Sequence, residues 1–235
     1  FGFPERRLTT QNYLREHGGL ELSDFWGTRS ITMKGFVSGQ TRSELEANLK
    51  ALKRALAPPR QPLIIDTLTQ FGRHYTATCE TLSIPEVAGT HYRHLNWEAQ
   101  FTCVDPFAYD RDITAITQTG IVNASELALV NDGDLSVFPL VTITTKHTRA
   151  VSVSIENETT GERIVSLATV RSGQTLVIDN ERKALYKNGV EAEYTGGFFT
   201  LATGSNTLIF GVDGESIGGQ APKLNVEIQW RSKYL

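Results

Sequence analysis

Leu95-Asn96-Trp97-Glu98-Ala99-Gln100-Phe101-Thr102-Cys103 decides the fold class. Apolar residues at 95, 97, 99, 101 and 103 alternate with polar ones at 96, 98, 100 and 102. Successive side chains of a strand point to opposite faces, so this segment reads as a half-buried strand with one wet face. Upstream, residues 29–37, 63–69 and 74–81 are further strand candidates. One stretch breaks the two-residue period. Leu45, Leu49, Leu52 and Leu56 recur at steps of four, three and four, which places them on one face of a helix. Thr41 or Ser43 can cap its start, each with a Glu three residues on. Basic residues crowd its last turns, where they suit the helix dipole, and Pro58-Pro59 stops it. The spacing predicts a helix over 43–56 that covers one face of a sheet.

Downstream, residues 104–125 change character. They open on Asp105-Pro106-Phe107 and then turn polar and Thr-rich, so a domain boundary is expected near residue 113. This divides the chain into domains 1–113 and 114–235. The second half is all strand and turn. Val151, Val153 and Ile155 alternate with serines, and Leu176 and Ile178 precede a polar turn. Asn188-Gly189 is a strong hairpin signal, because both positions tolerate positive φ. Gly204-Ser205-Asn206 reads as a turn between strands over 198–201 and 207–212. At the end, Leu224, Val226, Ile228 and Trp230 alternate with Asn225, Glu227 and Gln229. Short strands at turn-marked intervals predict an antiparallel sandwich.

The composition excludes several classes. With 235 residues, 40% of them hydrophobic, the chain can build real cores. A formal net charge of −3 does not favour a large basic surface for nucleic acid, and no sequence-specific nucleic-acid partner is expected. No apolar run reaches the length of a membrane span. Phe1-Gly2-Phe3-Pro4 lacks the basic start and apolar run of a signal peptide. Cys79 and Cys103 are too few for a disulfide framework and read as small buried residues, with a single disulfide as the alternative. The sequons at Asn123 and Asn157 are short enough to arise by chance in polar turns.

No catalytic set emerges. The chain has no G-x-G-x-x-G, no phosphate-binding P-loop and no G-x-S-x-G elbow, and Gly214–Gly219 reads as an inter-strand loop. His91 and His94 lack the further ligands of a zinc site. Asn131-Asp132-Gly133-Asp134 lacks the spaced ligands and closing Glu of a calcium loop and reads as a turn. Glu80, Glu86 and Glu98 are available as carboxylates, but nothing singles them out. Arg73-His74-Tyr75 and His91-Tyr92-Arg93-His94 mix basic and aromatic groups but read as polar strand faces. No enzyme activity, cofactor or metal is expected.

The order of these features is informative. Ile31-Thr32-Met33-Lys34-Gly35 leads into the helix. Pro62-Leu63-Ile64-Ile65, Arg73-His74-Tyr75-Thr76-Ala77 and the strand closing on Asp105-Pro106-Phe107 follow. This series resembles the N-terminal domain of the distal tail proteins of long-tailed bacteriophages. Val130-Asn131-Asp132-Gly133 before Phe138-Pro139, then Gly173-Gln174-Thr175-Leu176-Val177-Ile178-Asp179, Tyr186-Lys187-Asn188-Gly189 and Leu201–Leu208, resemble the same family's C-terminal domain in its order. The resemblance implies a β-sandwich-like N-terminal domain with one α-helix and a galectin-like jelly-roll sandwich after it. It implies a structural protein of the virion tail tip, assembled in the host cytoplasm. In that family the N-terminal domains form a hexameric ring joining the tail tube protein to the tail-tip hub or tail-associated lysin. In some phages the ring also carries a receptor-binding protein.

A ring needs a surface that reaches a neighbour. Residues 83–94 mix Ile84, Pro85, Val87 and Tyr92 around Gly89 between two strong strands, and read either as an extended hairpin arm at the oligomer interface or as a self-packed loop. The alternative function is a carbohydrate-binding sandwich, for which exposed aromatics would be needed. Trp230 sits on an apolar alternating face and reads as core, while the adjacent Phe198 and Phe199 could leave one ring exposed.

Overall fold

A computed structural model describes residues 4–12, 19–57, 63–67, 72–85 and 93–235. The chain forms two compact units, Phe1–Ala108 with Leu235, and Tyr109–Tyr234. It is mainly β, with one helix among the described residues.

In the first unit, β1 (Arg6–Asn12) and β2 (Gly19–Trp26) form an antiparallel pair. Then come β3 (Arg29–Ser38), α1 (Arg42–Leu56), β4 (Leu63–Thr67), β5 (Arg73–Ser83) and β6 (His94–Cys103). β6 lies between β3 and β5, and β4 pairs with the first half of β5, all antiparallel. The alternation of β6 sets the faces: Ala99, Phe101 and Cys103 are buried with Ile31, Val37, Tyr75, Ala77 and Cys79. On the other face Lys34 pairs with Glu98 at 3.1 Å. Gly35 lies opposite Trp97, and a Cβ there would come within 2.7 Å of the indole ring. Arg29 is 4% exposed; its Nη1 donates to the Tyr75 hydroxyl at 2.5 Å and its guanidinium lies 4.9 Å from that ring's centre.

The helix begins where its capping chemistry directs. Thr41 Oγ1 accepts from Glu44 N at 3.2 Å, and Glu44 Oε2 accepts from Gln40 N at 2.8 Å. Of the leucine stripe, Leu45 is buried, whereas Leu49, Leu52 and Leu56 are half-buried. Pro58 and Pro59, read as the helix stop, lie outside the described residues.

β7 (Ala108–Asp110) leads into the second unit. There follow β8 (Thr114–Ile121), β9 (Ser125–Asn131), β10 (Leu140–Thr145), β11 (Val151–Asn157), β12 (Glu162–Ser166) and β13 (Thr175–Asp179). The remaining strands are β14 (Ala184–Lys187), β15 (Val190–Glu191), β16 (Tyr194–Gly196), β17 (Gly204–Gly214), β18 (Leu224–Trp230) and β19 (Lys233–Tyr234). One sheet has the order β15-β14-β13-β10-β18-β8 and the other β16-β12-β11-β17-β9. Their inner faces form one apolar cluster. It joins Val141, Ile143, Leu176, Ile178, Val226 and Ile228 with Val153, Ile155, Ile164, Leu208, Phe210 and Val212. This is the expected sandwich.

Buried asparagines tie the loops to that core, as buried polar groups must be paired. Asn157 Nδ2 donates to Thr200 O at 2.6 Å and to Asn206 Oδ1 at 3.1 Å. Asn180 Nδ2 donates to Pro139 O at 2.7 Å, and its Oδ1 accepts from Phe199 N at 3.0 Å. Asn188 and Gly189 have φ of 49° and 79° and join β14 to β15, the expected hairpin turn. Two expectations change. Gly204-Ser205-Asn206 is not a turn but the start of β17, paired with Asn131, Val130 and Leu129. Asn206 instead closes the preceding Ala202–Thr203 bend, bonding Ala202 N and O at 2.8 Å each. The Thr-rich run after residue 113 is a strand, β8, which alternation of apolar residues did not announce.

Candidate functional site

The expected arm grows from a firm base. β5 and β6 pair as far as Ser83 opposite Glu98, with one register shift between Cys79 and Thr81. Ile84 follows half-buried and Pro85 exposed, and Arg93 O accepts from Gly39 N at 2.9 Å just before β6 begins. Val87 and Tyr92 lie outside the described residues, so of the four predicted contact residues the structure places Ile84 and Pro85. Beside this base lies an open groove of about 1070 Å³, lined by Phe36, Gln40, Glu44, Asn48, His94 and Asn96, among others. Its wall is held by Asn48 Nδ2, which donates to Ser38 O at 2.8 Å.

Phe36 is the residue that sequence reasoning missed. It is 69% exposed on the face of β3 that carries Ser30, Thr32, Lys34 and Ser38. The signal was present as an apolar residue out of phase with the alternation. Phe25, Ile64 and Val104 are exposed to a similar degree, at 68%, 67% and 80%. Isolated apolar side chains on a surface are ordinary, and of these four Phe36 is the one that lines the groove.

The remaining candidates do not converge on chemistry. Cys79 and Cys103 are buried and free of any disulfide. Burial pushes both thiols up; at Cys103 the Arg29 charge opposes this and Asp105 adds to it. His74 and Tyr75 are buried, so Arg73-His74-Tyr75 is not an exposed basic-aromatic strip. His94 is exposed, and His91 and Glu86 lie outside the described residues. Glu80 is exposed on β5, and Glu98 is committed to Lys34. Among the described residues no group of three His, Cys, Asp or Glu side chains could hold a metal, and no helix is long and apolar enough to cross a membrane. In Asn131-Asp132-Gly133-Asp134, Asn131 Oδ1 accepts from Gly133 N at 3.1 Å, which makes a tight turn. Trp230 is 4% exposed, Phe199 is buried, and Phe198 packs edge-on against Tyr194 at 4.7 Å between ring centres. No solvent-facing aromatic platform comes from these rings.

Comparison with known proteins adds the following. Residues 132–234 match the family described as the siphovirus-type tail component, C-terminal domain. The solved structure of the Dit protein of phage SPP1, described as a paradigm of the hub adsorption apparatus in phages infecting Gram-positive hosts, is similar over 100% of this chain and 90% of its own. The two are 14% identical, with a TM-score of 0.74. That likeness establishes a shared fold. Two structures of the phage P2 baseplate in its activated conformation, with Ca and with Sr, are each 10% identical. They cover 99% and 98% of this chain and 91% and 88% of theirs, at TM-scores of 0.45 and 0.44, too low to define a common fold. No curated protein matches.

Proposed function

We propose, from the premise that residues 132–234 are a siphovirus-type tail component C-terminal domain, that this chain is a structural protein of the phage tail tip. The observation that carries the reading is that family match, set within a chain whose whole length has the fold of a solved tail protein. The family is one of structural components, and the chain is read as non-catalytic. In finer terms, residues 1–113 form a ring, hexameric as in the distal tail proteins the sequence resembles. The ring joins the tail tube to the tail-tip hub or tail-associated lysin, and the sandwich over 114–235 lies outside it with access to a receptor-binding protein. A closed ring of identical subunits uses a heterologous interface, in which two different patches of one subunit meet. The exposed Phe36, Ile64 and Val104, and the arm over 83–94 with Ile84, Pro85, Val87 and Tyr92, are the patches assigned to it.

Native mass spectrometry and electron-microscopy class averages of the purified protein test this. Six-fold rings are expected. Ile84→Asp with Val87→Asp should give folded monomers. A wild-type chain that stays monomeric at high concentration, alone and with its tail partners, would refute the ring.

A further inference from the structure

β10 begins between two strands that end beside it. Leu140 pairs with Asp179 of β13 on one side and with Gln229 of β18 on the other. The chain just ahead of β10 carries Phe138, the chain just past β13 carries Glu181, and the chain just past β18 carries Arg231. These three side chains line one cleft of about 280 Å³, with Ile113 in its wall and the buried Trp230 at its floor.

Bonds beneath the cleft hold its groups in place. Val137 and Leu201 join main chains at 3.0 and 2.8 Å, and Asn180 Nδ2 donates to Pro139 O at 2.7 Å, so the backbone is fixed on both sides of Phe138. Asn180 is fully buried and its Oδ1 accepts from Phe199 N at 3.0 Å, which fixes the turn that presents Glu181. Just past Arg231, Ser232 O accepts from Asp110 N at 3.2 Å. Yet Phe138 remains 48% exposed and Ile113 52%. Glu181 and Arg231 form no ion pair or side-chain hydrogen bond among the described residues, and Trp230 Nε1 is buried without an acceptor. A concave site with rigid apolar walls and uncommitted polar groups is built to hold a ligand.

We propose that this cleft binds one neutral sugar ring of a glycan chain. The two strands that flank β10 lie about 10 Å apart, two strand spacings. That separation keeps Glu181 from Arg231, and it matches a single sugar ring hydrogen-bonded on each side at about 2.8 Å. Hydroxyl groups both donate and accept, so the ring donates to the Glu181 carboxylate and accepts from the Arg231 guanidinium. Gln229 gives its Nε2 to Glu227 Oε1 at 2.8 Å and keeps its own Oε1 for a further hydroxyl. The C–H face of the ring covers Phe138 and Ile113, as apolar surface seeks an aromatic face. One acid and one base favour a neutral ligand over an anionic one. An extended peptide fits poorly, because β10 is paired along both edges and offers it no main-chain partner. A free amino acid also fits poorly, since its ammonium and carboxylate share one carbon and cannot reach both sides at once.

The test uses the full chain with glucose, galactose, mannose and N-acetylglucosamine in ligand-observed NMR, and with an array of neutral glycans. Binding to at least one is expected. Phe138→Ala and Glu181→Ala should each weaken it by about tenfold or more, with unchanged thermal unfolding, whereas Phe36→Asp should bind as the wild type does. If Phe138→Ala fails to fold, the exposed Glu181 still decides. The proposal falls if no probe binds at millimolar concentration, or if Phe138→Ala and Glu181→Ala both bind normally. It falls equally if only charged glycans bind and Arg231→Ala alone abolishes this, which would make the cleft an anion site. Rings that form while no sugar binds would sink this inference and leave the proposed ring intact.

Discussion

In Tyr109–Tyr234, large side chains such as Phe199, Phe210, Leu176 and Leu208 lose all contact with solvent. In Phe1–Ala108 small residues, Ala77, Cys79, Ala99 and Cys103, share the inner side of the sheet with Ile31, Val37, Tyr75 and Phe101, and three of the four helix leucines stay half-buried. The first unit also holds Arg29 in its interior, with Nε and Nη2 unpartnered, while its Phe36, Ile64 and Val104 face outward. Burial of apolar area is the main source of stability, at about 25 cal/mol per Å². Both units leave apolar side chains outside, Phe36 and Val104 in the first and Leu167 and Val190 in the second. The comparison teaches that the second unit draws its stability from a core of large side chains, while the first has fewer of them to draw on.

The comparison can be broken at the core of the sandwich, where the largest effect is expected. Phe210→Ala should destabilise Tyr109–Tyr234 by about 3–5 kcal/mol, measured by denaturant titration. Asn206→Ala should cost less, about 1–3 kcal/mol, because it leaves Ala202 N without its acceptor and takes from Asn157 Nδ2 one of its two. Phe36→Asp should change monomer stability by less than about 0.5 kcal/mol yet prevent ring formation. A large loss of monomer stability there would mean that Phe36 serves its own fold and that the contrast between the units is misdrawn.

The smallest effect concerns the thiols of the first unit. Burial raises both, so the fold favours the neutral form. Their contribution is present below the ordinary thiol value, and it falls away as pH rises through the raised folded values. Replacing Cys79 and Cys103 by Ala should therefore flatten the decline in stability above about pH 9, read as the difference between variant and wild-type urea midpoints. An unchanged decline would show that the thiols play no part in it.

Much of this fold was legible because its strands face water on one side only. β6, β11 and β18 alternate cleanly, and each was found where the alternation put it. The helix was legible from four leucines and a cap, and it runs over Arg42–Leu56. β8 was not, because only Ile116 and Ile121 of its eight residues turn toward the core, and Thr-rich composition resembles a linker. Asn206 misled because the run Gly204-Ser205-Asn206 is made of turn-favouring residues, whereas here its side chain closes the bend from inside a strand. The candidate surfaces were less legible than the fold. Phe36 stands out only once the inward face of β3 is known, and the cleft at Trp230 gathers residues from five separate stretches of chain.

The way the second unit closes has a practical side. Asp110 N donates to Ser232 O at 3.2 Å, and the Tyr234 hydroxyl donates to Asp110 Oδ2 at 3.1 Å, so the unit begins and ends at one spot. A sandwich whose ends are stapled together is a cassette. It can be lifted out, circularly permuted by reopening the Gly218–Gly219 tip, or exchanged for a foreign sandwich of the same end spacing, with the cut made at a single seam. Chimeric chains that carry a different sandwich could be built by that exchange alone.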